Sequence, residues 1–105
     1  MRLQHRKDVS HDMLTQWLTD RGWIVFDVHN ISGFVDAIAV FQGRVVFLEY
    51  KTGKARPKPS QEALHAHLRA EGAEVAVIAT EADCEEYFLR PFSGYYDAKQ
   101  MRKPA

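Results

Sequence analysis

The spacing of apolar residues changes repeatedly along this chain, and each change predicts an element. Between Ser10 and Gly22, Met13, Leu14, Trp17 and Leu18 recur at steps of three and four, which predicts a helix with one apolar side, capped by Ser10 and ended by Gly22. Trp23 to Val28 reads as a first strand. Phe34 to Phe41 and Val45 to Lys51, rich in Val, Ile and Phe, flank Gln42-Gly43 and predict two strands joined by a two-residue hairpin turn. Thr52 to Pro59 carries prolines and a glycine and reads as a loop. Ser60 then caps a second helix that runs to about Glu71 and closes at Gly72. Glu74 to Ala79 is a fourth, apolar strand, and Thr80-Glu81-Ala82-Asp83 has the form of a capping box opening a third helix. The order is α-β-β-β-α-β-α. A helical crossover between the third and fourth strands makes those two parallel, so the chain predicts an α/β fold with a central mixed four-stranded sheet flanked by helices. Val45-Val46-Phe47-Leu48 does not alternate, which predicts a third strand covered on both faces.

Composition sets the scale. At 105 residues there is room for one core, so residues 1–105 form a single domain, with its core at about 9–90 and an aromatic, basic tail at 91–105. Tyr87, Phe88, Phe92, Tyr95 and Tyr96 are expected to pack that tail against the body. The formal charge is zero, so any nucleic-acid contact must come from a local patch rather than from a generally basic surface. A lone cysteine, Cys84, rules out an intrachain disulfide and suits a reducing cytoplasm. Met1 to Asp8 is polar and basic, and no apolar run approaches the ~18 residues of a membrane span, so neither secretion nor membrane insertion is expected.

The hairpin concentrates the chemistry. If Phe41 pairs with Arg44 across the Gln42-Gly43 turn, the same register carried back along both strands sets Asp36 directly opposite Glu49, with their Cβ atoms roughly 4.5–5.5 Å apart. Two carboxylates so close in an apolar sheet repel and call for a proton, a cation or a metal between them. Lys51, two residues beyond Glu49, points to the same face and is the first available cation. A one-residue slip would instead pair Asp36 with Tyr50 and put the acids on opposite faces. The bland alternative is a surface carboxylate pair beside a snorkelling lysine, and the apolarity of the strand argues against it. Lys54, Arg56 and Lys58 follow Lys51 with no acid among them, and their place directly after the acids favours phosphate contact over a merely solvated loop. Gln61 shares a helical face with Leu64, His65 and Leu68, the face that packs on the sheet. The five histidines show no zinc-type spacing, and most are expected at the surface or rim. His29 is placed near the site, since the first strand ends where the second begins.

Gly33-Phe34-Val35-Asp36, Phe47-Leu48-Glu49-Tyr50-Lys51 and Gln61 together resemble the PD-(D/E)xK nuclease superfamily, and within it the small VRR-NUC domains of phage and bacterial proteins. The resemblance covers roughly Gly22 to Ile78, with Val35 where a proline is usual. It implies a restriction-endonuclease-like core and a metal-dependent endonuclease that hydrolyses phosphodiester bonds in DNA, with RNA left open. On this resemblance Asp36, Glu49, Lys51 and Gln61 are catalytic. Asp36, Glu49 and the Tyr50 backbone carbonyl are the oxygen ligands of Mg²⁺ or Mn²⁺, and Asp8 or Asp12 is the acid that such domains carry on the first helix. His29, Lys54, Arg56 and Lys58 would contact nucleic acid. The implied setting is the cytoplasm of a bacterial or phage-infected host cell. A homodimer that selects branched, junction or flap DNA is the expected form, with the third helix and aromatic tail as its contact; the alternative is an inactive nuclease-fold module that binds DNA or acts as a scaffold.

Overall fold

The Gln42-Gly43 turn sets the register of the sheet. In the computed structural model, which describes residues 9–51, 59–89 and 95–97, both turn residues have positive φ, 50° at Gln42 and 83° at Gly43. A type I′ turn requires this of both central positions. Gly43 adopts it without strain, whereas Gln42 does so at a cost that the strands on either side offset. Strand β2 (Ala37–Phe41) therefore pairs antiparallel with β3 (Arg44–Tyr50) in the predicted register, from Phe41 with Arg44 to Ala37 with Leu48. On the other side of β2 lies β1 (Ile24–Asp27), also antiparallel, with Ile24 opposite Val40 and Asp27 opposite Ala37.

Beyond β3 the chain crosses through helix α2 (Pro59–Ala70) to β4 (Glu74–Ile78), which lies parallel to β3 with Glu49 beside Val77. The parallel crossover is as the pattern predicted. Helix α1 (Val9–Asp20) and helix α3 (Glu81–Phe88) complete the α-β-β-β-α-β-α order. Thr80 caps α3 in the expected box: its side chain accepts from the Asp83 N–H, and the Asp83 carboxylate accepts from the Thr80 N–H. The other two starts differ from expectation. Ser10 and Ser60 lie inside their helices, α2 opening at Pro59, where a missing N–H leaves no hydrogen bond unmade.

A fifth strand corrects the sequence-based account of the C-terminal segment. β5 (Tyr95–Asp97) adds to the sheet edge parallel to β4, giving the order β1-β2-β3-β4-β5. Three residues are too few for alternation to register as a strand; the pairing edge of β4 defines it.

One face of the sheet holds the main core. Leu14, Trp17 and Leu18 from α1 and Cys84, Tyr87 and Phe88 from α3 pack on Ala37, Ala39, Val46, Leu48, Tyr50, Ala76 and Ile78. Leu14 and Leu18 are fully buried, each contributing about 2 kcal/mol by removal from water. Trp23 closes this layer, edge-on to Phe88 with ring centroids 4.9 Å apart. Arg44 grips Glu74 through two hydrogen bonds, Nε to Oε1 at 2.9 Å and Nη2 to Oε2 at 2.8 Å, and the Tyr87 hydroxyl donates to Oε2 at 2.6 Å. This clamp ties the start of β3 to the start of β4, away from Glu49 and Lys51 at the other end of β3.

Helix α2 lies on the opposite face, where Glu49 meets its residue His65. Because α2 packs on β4, it leaves the β1 side of that face open: Ile24 is 60% exposed, Phe26 53% and Val45 43%. The expectation that β3 would be covered on both faces thus holds for Leu48 and Glu49 but not for Val45. No described helix is long and apolar enough to cross a membrane.

Candidate active site

Acidic residues reach this site because β2 and β3 end together. The predicted register holds from Phe41 with Arg44 to Ala37 with Leu48 and ends there, one step short of the expected pairing of Asp36 with Glu49. At this point the ladder loosens. The Asp36 N–H donates to the Leu48 carbonyl at 2.9 Å, so Asp36 and its neighbour Ala37 both address Leu48, the two-against-one arrangement of a bulge. Its carbonyl accepts the Val28 N–H at 2.9 Å, which anchors the chain following β1 beside the acid.

The Asp36 carboxylate turns onto the β3 backbone. Its Oδ2 accepts the Tyr50 N–H at 2.8 Å. In an extended strand a residue's N–H and C=O project to the same side, so the Tyr50 carbonyl is also directed toward β2. Asp36 has a second carboxylate as its neighbour, Glu49, near enough for the charge of one to act on the other. Burial pushes its carboxyl up to about 6, the Glu49 charge adds to that shift, and the Tyr50 N–H and Lys51 oppose it only in part. Asp36 thus holds its proton above the usual carboxylate range, as an acid buried beside another acid should.

Glu49 is 1% exposed, under α2. Gln61 Nε2 donates to its Oε2 at 2.6 Å, and His65 Nε2 lies 3.2 Å from its Oε1. Lys51, with its side chain 12% exposed, sits 3.9 Å from Glu49 Oε2 and donates to Gln61 Oε1 at 3.3 Å. Gln61 consequently bridges acid and lysine, its amide nitrogen on one and its amide oxygen on the other. Four of the residues read from the sequence, Asp36, Glu49, Lys51 and Gln61, converge in one cluster with the Tyr50 backbone.

The remaining candidates divide. His29 forms a tight pair with Asp27, Nδ1 to Oδ1 at 2.6 Å, and its backbone N–H donates to the same oxygen at 3.1 Å. It sits next in sequence to Val28, which touches Asp36, but its ring is engaged at the end of β1. Asp12 is exposed in the first turn of α1. Thr15, one turn further on, lies 3.0 Å from the Tyr50 hydroxyl, on the sheet face opposite Glu49. Asp8, Lys54, Arg56 and Lys58 lie outside the described residues.

His65 was not assigned to the site from sequence. The helical spacing put it on the sheet-facing side with Gln61, and that was the available signal. A buried carboxylate on the facing strand turns such a histidine from a rim residue into a partner.

The donor set suits a hard divalent cation. Mg²⁺ and Mn²⁺ prefer oxygen, keep several waters and need only one or two carboxylates from the protein. Asp36 and Glu49 supply two neighbouring carboxylates, and the Asp36 carboxyl is pushed up by burial and by the Glu49 charge. Among the described residues there is no group of three or more His, Cys, Asp or Glu side chains arranged to hold a metal, so a site here would draw on this pair and on backbone oxygen.

The arrangement of elements has a counterpart among solved structures. A structure described as a VRR_NUC domain superposes with a TM-score of 0.65 at 20% sequence identity, covering 81% of this chain and 100% of that one. The chain therefore has the core fold of the PD-(D/E)xK superfamily. More narrowly, its fold is like that of the VRR_NUC domain structure. No protein-family model matches the chain, and no curated protein matches it in sequence.

Proposed function

We propose that this protein is a Mg²⁺- or Mn²⁺-dependent endonuclease that hydrolyses phosphodiester bonds in DNA. The observation that carries the reading is the convergence of Asp36, on the Tyr50 N–H, with Glu49, Lys51 and Gln61 at the shared end of β2 and β3, in a fold like that of a VRR_NUC domain. Asp36, Glu49 and the Tyr50 carbonyl would hold the cation, with Asp8 or Asp12 as the candidate acid from the first helix. When bound, the cation acidifies a water and offsets charge on the phosphate.

The chain's own groups do the rest. Lys51, held by Gln61 and near Glu49, is positioned to donate to the attacking water or to a phosphate oxygen where negative charge grows. Gln61 fixes the lysine and the acid relative to each other. Tyr50 contributes through its backbone, whose N–H holds Asp36 in place. Lys54, Arg56 and Lys58 would take the flanking phosphates.

A single site cuts one strand, so cleavage of paired strands in a branched or flapped substrate calls for a two-fold dimer. Exposed α3 positions include Glu81, Glu85 and Glu86, and a two-fold contact there would oppose like charges. Among the described residues the exposed apolar side chains Ile24, Phe26 and Val45 make the open sheet face the better contact.

An inactive nuclease-fold module is the second reading, and the intact Asp36, Glu49 and Lys51 weigh against it. Incubating the pure protein with plasmid, linear, single-stranded and four-way DNA, each with Mn²⁺, Mg²⁺ or EDTA, separates the two. Cation-dependent cleavage supports the nuclease; binding without cleavage under every condition supports the module.

A further inference from the structure

A carboxyl group as deeply buried as Glu49 needs hydrogen-bond partners matched to its oxygens. Gln61 serves Oε2 at 2.6 Å, and Lys51 stands 3.9 Å from the same atom. Oε1 instead faces His65 Nε2 at 3.2 Å. His65 is 2% exposed and lies one helical turn after Gln61, so α2 presents an amide and an imidazole side by side to the two oxygens of one acid. On the same sheet face the flanking β4 residues are Val75 and Val77, both buried. Packing there would be served by an aliphatic side chain; an imidazole is suited to the site because of the carboxylate it meets.

We propose that His65 is a positioning residue for Glu49, donating its Nε2 hydrogen to Oε1 and holding the carboxylate in the orientation that binds the divalent cation. The inference rests on the metal-dependent reading given above. Glu49 accepts in this contact, so the hydrogen belongs on Nε2. A carboxylate offers about four lone-pair sites, and Gln61, His65 and Lys51 leave capacity for a cation on the Asp36 side. Partners of this kind are worth about 10–100-fold in metal affinity.

The test is calorimetric titration of Mn²⁺ into the full chain as wild type, His65→Leu, His65→Gln and Glu49→Gln, with a melting curve for each. Leucine keeps the volume and removes the donor; glutamine restores a donor at similar reach. The expected result is Mn²⁺ affinity about 10–100-fold weaker for His65→Leu and within about threefold of wild type for His65→Gln. Wild-type affinity in His65→Leu, with Glu49→Gln weakened, overturns the role of His65 and leaves the metal reading standing. Equal weakening in the leucine and glutamine variants overturns the donor role. No Mn²⁺ uptake by the wild type overturns both readings. Should His65→Leu fail to fold, the imidazole nitrogen spectrum of the metal-free wild type decides: a hydrogen on Nε2 whose signal moves in Glu49→Gln supports the contact, and a bare Nε2 overturns it.

Discussion

The Asp36 carboxyl, beside the end of β2, is pushed up to about 6 by burial and by the charge of Glu49 at the end of β3. The unfolded chain would titrate this group near 3.8, so between those values the folded protein binds more protons than the unfolded one. Stability of the metal-free protein must then fall as pH rises through that window. After allowance for solvent screening of this half-buried group, the loss is about 1–2 kcal/mol between pH 4 and pH 7. Chemical denaturation of wild type and Asp36→Asn in EDTA checks it: the difference in stability between the two should move with pH in the variant's favour. A difference independent of pH would remove the coupled pair.

Lys51 is expected to separate binding from turnover. As an ammonium it has no lone pair to offer a cation, so Lys51→Ala should keep Mn²⁺ affinity within a few fold while turnover falls by at least ~10²-fold. Calorimetry alongside single-turnover cleavage reads both. Loss of metal binding together with the lysine would make its role structural.

Much of this site was legible in the sequence because a hairpin with a two-residue turn has one natural register. Gln42-Gly43 fixed Phe41 against Arg44, and everything back to Ala37 and Leu48 followed by counting. Gln61 was legible from helical spacing. What remained hidden depended on contacts between distant segments. His65 gained its role from the burial of Glu49 by α2, which no local pattern records. Tyr95–Asp97 became a strand because β4 offered an edge, and Val45 remained exposed because α2 sits toward β4. The bulge-like step at Asp36, which turns its carboxylate onto the Tyr50 N–H, also lay beyond a counting argument.

The Arg44–Glu74–Tyr87 clamp should affect stability without touching chemistry. Tyr87→Phe removes one donor to Glu74 and should cost about 1 kcal/mol; Arg44→Met removes a charged, two-pronged partner and should cost about 2–3 kcal/mol. Urea denaturation gives the stabilities. Cleavage per folded molecule should match wild type in both variants, and a tenfold loss in either would place the clamp within the functional machinery.

Cys84 is fully buried, and burial pushes its thiol up to about 12, with nearby Asp83 and Glu81 adding to the shift. Thiolate is the reactive form, so native protein at pH 8 should resist iodoacetamide and react only after denaturation. Mass spectrometry of intact protein after timed exposure measures this. Rapid labelling of native protein would show that the α1–α3 layer opens readily.

The central claim is that Asp36 and Glu49 act as a cation-holding pair, and cleavage by matched preparations of wild type, Asp36→Asn and Glu49→Gln tests it most directly. Each is incubated with four-way, flapped and linear DNA in Mn²⁺ and in excess EDTA, with melting curves run in parallel to show that all three are folded. The account predicts that wild type cuts in Mn²⁺ and not in EDTA, and that neither folded variant cuts above background. Full cleavage by either variant, or by wild type in EDTA, would contradict it.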